Sequence, residues 1–316
     1  MRTTDTLIAD RLYKKELRLM GNNFSISVAA NEEHFAHQCI DAAVDEIRRI
    51  EQLLTTFNEK SQTNLINNNA GIQPVEVDQE VIDIIERSIK ISSLTQGAFD
   101  ITYGSIDKRF WNFDKTMTAL PDKEMARQAV RLINYKNILI DRKNNTVFLK
   151  EKGMRIGFGG IGKGYAAEQA KLLLQSLNIS CGVVNASGDL TTWGILPNGK
   201  QWTIGIANPD DKDQLFSHLE ISDMALATSG NYEKFVVIDG QRYSHTIDPK
   251  TGFPVKGIKS VTVICANAEV ADALATPITV MGVKAGLHLV NQLKGVECII
   301  IDDANKLYVS NTIKIA

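Results

Sequence analysis

The sequence predicts an α+β fold, with mixed or antiparallel sheets flanked by helices, and three observations carry that reading. Segments of helical period fill the first half of the chain, about residues 12–135, after an opening hairpin. Short β-rich segments fill the second half, about 136–316. The two kinds do not alternate as βαβ units, which a doubly wound parallel sheet requires. With no linker, low-complexity tract or sequence repeat, residues 1–316 read as one compact domain of two lobes.

The elements follow in order. Residues 12–30 alternate apolar and polar around Gly21-Asn22-Asn23, the pattern of a hairpin. Asn31 is placed to cap a long helix whose apolar positions Phe35, Cys39, Ala43, Ile47, Ile50, Leu54 and Phe57 recur every three or four residues. The polar, Asn-rich stretch 58–76 reads as a loop. A second helix is expected from Gln79 to Leu94, started by Asp78 and stopped near Gly97, and a third from Pro121-Asp122 to about Ile133. NILID and TVFLK form a second hairpin across 137–150; MRIGF reads as a strand and YAAEQAKLLLQSL as a helix. Then come CGVVNA, WTIGIA, FVVID, SVTVICA, ECIIID and LYVSN, interrupted only by a helical pair from about Ala268 to Leu293.

Composition removes whole classes of function. Thirty-five Lys and Arg against 37 Asp and Glu leave a net charge of −2, without the basic footprint of a nucleic-acid binder. At 44% hydrophobic and 23% charged, the chain is an ordinary folding sequence. No run of about 18 apolar residues is present, so no membrane segment is expected. Cys39, Cys181, Cys265 and Cys298 are scattered without metal-finger spacing, and each sits in an apolar run that suits a reduced, buried thiol. MRTTDTLIADRLYKKELRLM lacks the apolar core of a secretory signal. A cytoplasmic location is expected, export being the alternative if the chain begins after a removed signal.

GFGGIGKG at 157–164 holds five of the chain's 22 glycines between an expected strand and a helix, a place where backbone amides attract an anion. Gly157, Gly162 and Lys163 fit G-x-x-x-x-G-K, yet Gly164 stands where magnesium-holding Ser or Thr belongs. Gly157, Gly159 and Gly162 fit G-x-G-x-x-G, with Asp189 the nearest acid downstream, but the βαβ frame is missing. A phosphate contact of another architecture leads, beside a tight packing turn without ligand.

Two further constellations stand out. His245 precedes the rigid turn Asp248-Pro249 to Gly252; it suits a general base near neutral pH and equally a histidine bonded to that turn. Asp272 and Thr276 share one helix face, with Pro277 next expected to distort the turn. The pair suits a sparse magnesium site. It also suits capping, or back-bonding by Thr276.

From about Leu19 to Met281, nearly the whole chain, the ordered segments GGIGKGYAAE, NASGDL, ATSGNY, SHTIDPKTGFPV and ADALATPITVMG resemble the ApbE family of flavin transferases. The resemblance implies an α+β fold with the flavin between two lobes. It also implies FMN transfer from FAD to a Thr or Ser of an acceptor flavoprotein, with release of AMP and with Mg2+ as cofactor. On this basis Met20 packs near the flavin, and Phe57 keeps stacking where the family often has tyrosine. Ala98, Phe99 and Asp100 line the FAD. Gly157 stands at a FAD-lining position where Asp-Leu-Gly is common, so one contact changes, and Gly162 replaces a common alanine harmlessly. Gly160 offers a carbonyl to the metal beside Asp272 and Thr276, Lys163 faces the cofactor, and His245 lies beside FAD as the base. An FAD pyrophosphatase giving FMN and AMP uses the same residues with water as acceptor. A non-catalytic FAD-binding protein has no need of His245, Asp272 and Thr276, and a P-loop ATPase is disfavoured by Gly164.

Overall fold

The computed structural model describes residues 10–107, 119–207, 215–230, 235–238 and 240–313; part of ATSGNYEKF, 231–234, falls outside them. The chain opens with a hairpin of β1 (Arg11–Leu19) and β2 (Asn22–Ala30). Then follow α1 (Glu33–Leu54), α2 (Gln62–Asn68), β3 (Val75–Glu76), α3 (Gln79–Leu94), a 3-10 turn at Ile101–Ser105 and α4 (Lys123–Val130). The hairpin β4 (Ile138–Asp141) and β5 (Thr146–Leu149) leads to α5 (Gly162–Ser176), β6 (Gly182–Ala186) and β7 (Asp189–Trp193). β8 (Trp202–Ala207), β9 (Leu215–Ile221), β10 (Ala225–Gly230), β11 (Phe235–Ile238), β12 (Gln241–Ser244) and β13 (Ile258–Cys265) come next. Last are α6 (Ala268–Val290), β14 (Val296–Asp302) and β15 (Leu307–Val309).

Eight strands form one sheet in the order β1-β2-β6-β7-β10-β13-β14-β15, and every neighbouring pair is antiparallel. This arrangement excludes both phosphate-binding folds that the glycine cluster matched by letter, because each is built on parallel strands. Strand alternation separates the faces. Ala225 and Ala227 of β10 turn toward α5 and α6, whereas Leu226 joins Leu190, Ile264 and Ile299 beneath Ile206 of the β8–β9 ribbon. The helical face holds the main core, where Ile40, Ala43 and Ile47 of α1 meet Phe24, Ile26 and Val28 of β2. Burial of that apolar surface, at roughly 25 cal/mol per Å², is the main drive of the fold.

Several local expectations change. The hairpin turn is Met20-Gly21, both with positive φ (50° and 73°), so the two-residue turn lies one position earlier than the Gly-Asn-Asn reading. The α1 cap position falls to Glu32, without a side-chain cap, rather than Asn31; Phe35 and Phe57 are exposed. Part of the 58–76 loop is α2, because Ser61 accepts from the Asn64 amide and starts a helix that buries Ile66. MRIGF is extended but joins no sheet; its amide and carbonyl at Ile156 bond the Asn67 side chain instead. The last helical pair is confirmed as α6, but it breaks at Gly282 (φ 82°, ψ 169°) and keeps helical geometry through Pro277.

All four cysteines are free and buried, as their apolar settings predicted. One expectation needs qualifying: α6 is long and apolar enough to cross a membrane by length and composition. Its apolar face is used inside the protein, where Leu274, Ala275 and Ile278 pack on Val261 and Val263 of β13.

Candidate active site

The crossing of α5 over α6 organises the site. Gly164 has ordinary φ, but a Cβ there would lie 2.2 Å from the Ala268 carbonyl oxygen and 2.7 Å from the Asp272 Cβ. Serine or threonine cannot occupy this position, a steric reason for the departure from the Walker pattern. The close approach lets the Gly164 amide donate to Asp272 Oδ2 at 2.9 Å. One turn on, Glu168 accepts from the Ala268 amide at the start of α6 and from Lys171, so the YAAE segment fastens the two helices.

None of the five glycines in GFGGIGKG has positive φ. Their use is space. Gly159 has nothing within 4 Å of its Cβ position, Gly157 has only Thr56 at 3.8 Å, and Gly160 faces Phe99 at 3.6 Å. Gly162 would bring a Cβ to 3.4 Å from Phe158 and 3.7 Å from the Met20 methyl, ordinary contacts that make alanine acceptable. Met20 is thus delivered to the glycine loop by a turn that holds it in the left-handed region, which is uncommon for a side-chain-bearing residue.

Lys163 pairs with Asp189, the acid of the NASGDL segment. A second tight turn places this carboxylate: Ser187 (φ 59°) and Gly188 (φ 100°) link β6 to β7, and Asn185 Oδ1 accepts from the Gly188 amide. Asp189 Oδ1 also accepts from the Thr228 amide of β10 at 3.2 Å. The signal in NASGDL was therefore a two-residue turn that opens a strand on an acid. Asp272 is fully enclosed, and its carboxyl is pushed up to about 7, first by burial and then by the nearby Asp189 charge, with Lys163 acting in opposition. Thr276 follows one turn later on α6, half-buried.

Asp100 also holds local structure together. Its carboxylate accepts from the Thr102 amide (2.8 Å), the Thr102 hydroxyl (2.6 Å) and the Tyr135 amide (2.8 Å), which clasps the 3-10 turn to the following loop. Burial still raises its pKa above the ordinary carboxylate value. Phe99 faces Gly160, and Ala98 is buried beside it. Phe57, by contrast, is 99% exposed, in the loop that places Thr56 beside Gly157.

His245 is exposed at the start of a strap closed by backbone bonds: Ser244 donates to Val255, Val255 to Thr246, and Asp248 to Phe253. Gly252 (φ 74°) has no room for a Cβ, which would meet the Ala126 carbonyl oxygen of α4 at 2.0 Å. The Ile247 amide donates to the buried Tyr103 hydroxyl at 3.2 Å. The 3-10 turn that supplies Tyr103 also accepts the Gly157 amide at Ile101. It is therefore the shared anchor of the glycine loop and the histidine strap.

Among the described residues no three His, Cys, Asp or Glu cluster as a ready-made metal cage. A hard dication that takes one or two carboxylates and completes its shell with neutral oxygens does not need one. The donor set fits such an ion, because Asp272 is a buried carboxylate whose charge is opposed by Asp189 and a cation would relieve that opposition.

The sequence model of the ApbE family matches residues 20–300. The chain belongs to the ApbE family. An FAD:protein FMN transferase of Klebsiella pneumoniae is 28% identical over 304 residues, 96% of this chain and 93% of that protein. One of Escherichia coli is 26% identical, covering 88% and 80%. The crystal structure of the ApbE protein of Thermotoga maritima superposes with a TM-score of 0.85 at 31% identity, covering 96% of this chain and 98% of that one. The flavin transferase ApbE of Vibrio cholerae gives 0.83 at 25%, again covering 96% and 98%.

Proposed function

We propose that this ApbE-family chain is an FAD:protein FMN transferase, moving FMN from FAD onto a Thr or Ser hydroxyl of an acceptor flavoprotein. The observation that carries this reading is the charge cluster at the start of α5, where Lys163, Asp189 and Asp272 meet beside open glycine backbone. A pyrophosphate is the substrate group that such a place suits: cation, approachable amides and a carboxylate able to share a metal. The names of the curated relatives support the same reaction.

In the reaction the acceptor oxygen attacks the phosphorus of the FMN half. The bond from that phosphorus to the bridging oxygen breaks, and AMP leaves with the bridging oxygen. His245 takes the hydroxyl proton as the new bond forms, a task that its exposed position on a rigid strap suits. Lys163 neutralises pyrophosphate charge, Met20 and Phe57 flank the flavin, and Phe99 backs the Gly160 segment. Asp272, Thr276 and the Gly160 carbonyl would hold a magnesium ion, which when bound would supply Lewis-acid stabilisation of phosphate charge. The protein incubated with FAD and magnesium, with and without an acceptor flavoprotein, tests the reading by product separation. Covalent FMN on the acceptor with equimolar AMP is expected. Free FMN and AMP, unaffected by the acceptor, identify a pyrophosphatase, and intact FAD identifies a binding protein.

A further inference from the structure

Most arginines of the helical face are matched with acids: Arg49 with Glu46 and Glu80, Arg87 with Glu269, Arg142 with Asp83 and Glu86. One region breaks the pattern. A hollow of about 620 Å³ lies between the end of α3, the end of α4 and the histidine strap. Arg127, Arg131, Lys136 and Lys250 line it, all exposed, and none forms an ion pair among the described residues. Among the described residues lining it, Asp100 is the one acid, and its oxygens already accept three hydrogen bonds. The helix C-terminus accounts for a cation at Arg131. It does not account for Lys136, in the 3-10 turn Tyr135–Asn137, or for Lys250, on the strap.

The hollow is fixed relative to the reacting base. Lys250 follows His245 by five positions on the same closed strap, and its chain crosses Gly97, with Cε 3.8 Å from the Gly97 Cβ position. The strap packs on α4 through Ile247 and Phe253 against Val130, and through Gly252 against Ala126. The strap that carries His245 and Lys250 is therefore packed directly on α4. A polypeptide that presents a hydroxyl to His245 approaches the same strap that carries Lys250 into the hollow.

Resting on the transferase reading, we propose that the hollow lined by Arg127, Arg131, Lys136 and Lys250 docks an acidic stretch of the acceptor polypeptide beside its modified Thr or Ser. The occupant follows from charge complementarity: four cations without a carboxylate partner among the described residues, on a chain of net charge −2, favour carboxylates and disfavour a basic or neutral segment.

Two synthetic peptides test this with the full chain, each with one threonine, flanked in one by Asp and Glu and in the other by Asn and Gln. Fluorescence anisotropy of the dye-labelled peptides reads docking directly, without FAD. The acidic peptide is expected to bind about tenfold more tightly at low salt, with the advantage shrinking as salt rises. The double variant Arg131→Glu, Lys250→Glu is expected to abolish that advantage, and Arg131→Gln, Lys250→Gln to halve it or more. FAD affinity and peptide-independent FAD cleavage are expected to stay within about twofold. Equal binding of both peptides, or an unchanged preference in the charge-reversed variant, overturns the proposal. So does a loss of FAD affinity in that variant, which would assign the hollow to the nucleotide. Failure of the transferase reading has a different signature: FAD cleavage without label on any hydroxyl, whatever the peptides bind.

Discussion

The α5–α6 crossing and the histidine strap solve opposite problems with the same residue type. At the crossing, Gly164 is needed because two helices touch, and the result is an enclosed carboxylate with a raised pKa. On the strap, Gly252 is needed because a turn presses on α4, and the result is a histidine held out in solvent. One region stores electrostatic strain inside the protein, where low dielectric magnifies any charge brought near. The other fixes the backbone of the strap and keeps its histidine at the surface. Under the proposed function, the enclosed carboxylate would serve a metal and the exposed histidine a protein substrate.

The comparison breaks most severely at Gly164. Gly164→Ala is expected to cost about 3 kcal/mol or more, because the obstructing atoms are backbone of α6 and cannot rotate away. Thermal unfolding should show the loss, together with failed magnesium-dependent turnover. Gly162→Ala, two positions earlier, is expected to be neutral within about 0.5 kcal/mol. Equal effects of the two would mean that the crossing is not the constraint.

Next in size is Asp272→Ala, expected to abolish magnesium-dependent turnover while the protein stays folded, since the site loses the one side-chain carboxylate assigned to the metal. Full turnover at low magnesium would place the metal elsewhere. His245→Ala should lower transfer by about 10²–10⁴ and leave FAD affinity within a few-fold, because a base adds little to ground-state binding. A matching loss of FAD affinity would make His245 a ligand contact, with Asp248 the next base to test.

Smaller effects sharpen the electrostatic half. Between the unfolded carboxylate value near ~4 and about 7, native Asp272 retains a proton that the unfolded chain has released. The native state then binds more protons than the unfolded one, so the Asp272 contribution to metal-free stability falls as pH rises through that window. Asp272→Asn should remove this component of the pH slope and melt higher than wild type at pH 8 without metal. Magnesium affinity of the wild type should weaken below about pH 7, by up to about tenfold per pH unit, as the proton competes for the carboxylate. Calorimetric titration at two pH values checks it, and a pH-independent affinity would remove Asp272 from the ligand set.

Much of this was legible in the sequence because it is local. Hydrophobic period alone gave α1 and α3, and the glycine, histidine and Asp-Thr segments were marked by residue type and spacing. The α2 helix was missed because its Asn-rich surface hides a short cap-driven turn around one buried Ile66. MRIGF was misread because an alternating pattern does not say whether a partner strand exists. Tertiary structure alone decided that Lys163 meets Asp189, that Asp272 is shut beneath Gly164, and that Asp100 clasps the 3-10 turn to the loop at Tyr135. The physical reason is separation along the chain: Gly164 and Asp272 lie 108 residues apart, and no local propensity reports which backbone will close over a carboxylate.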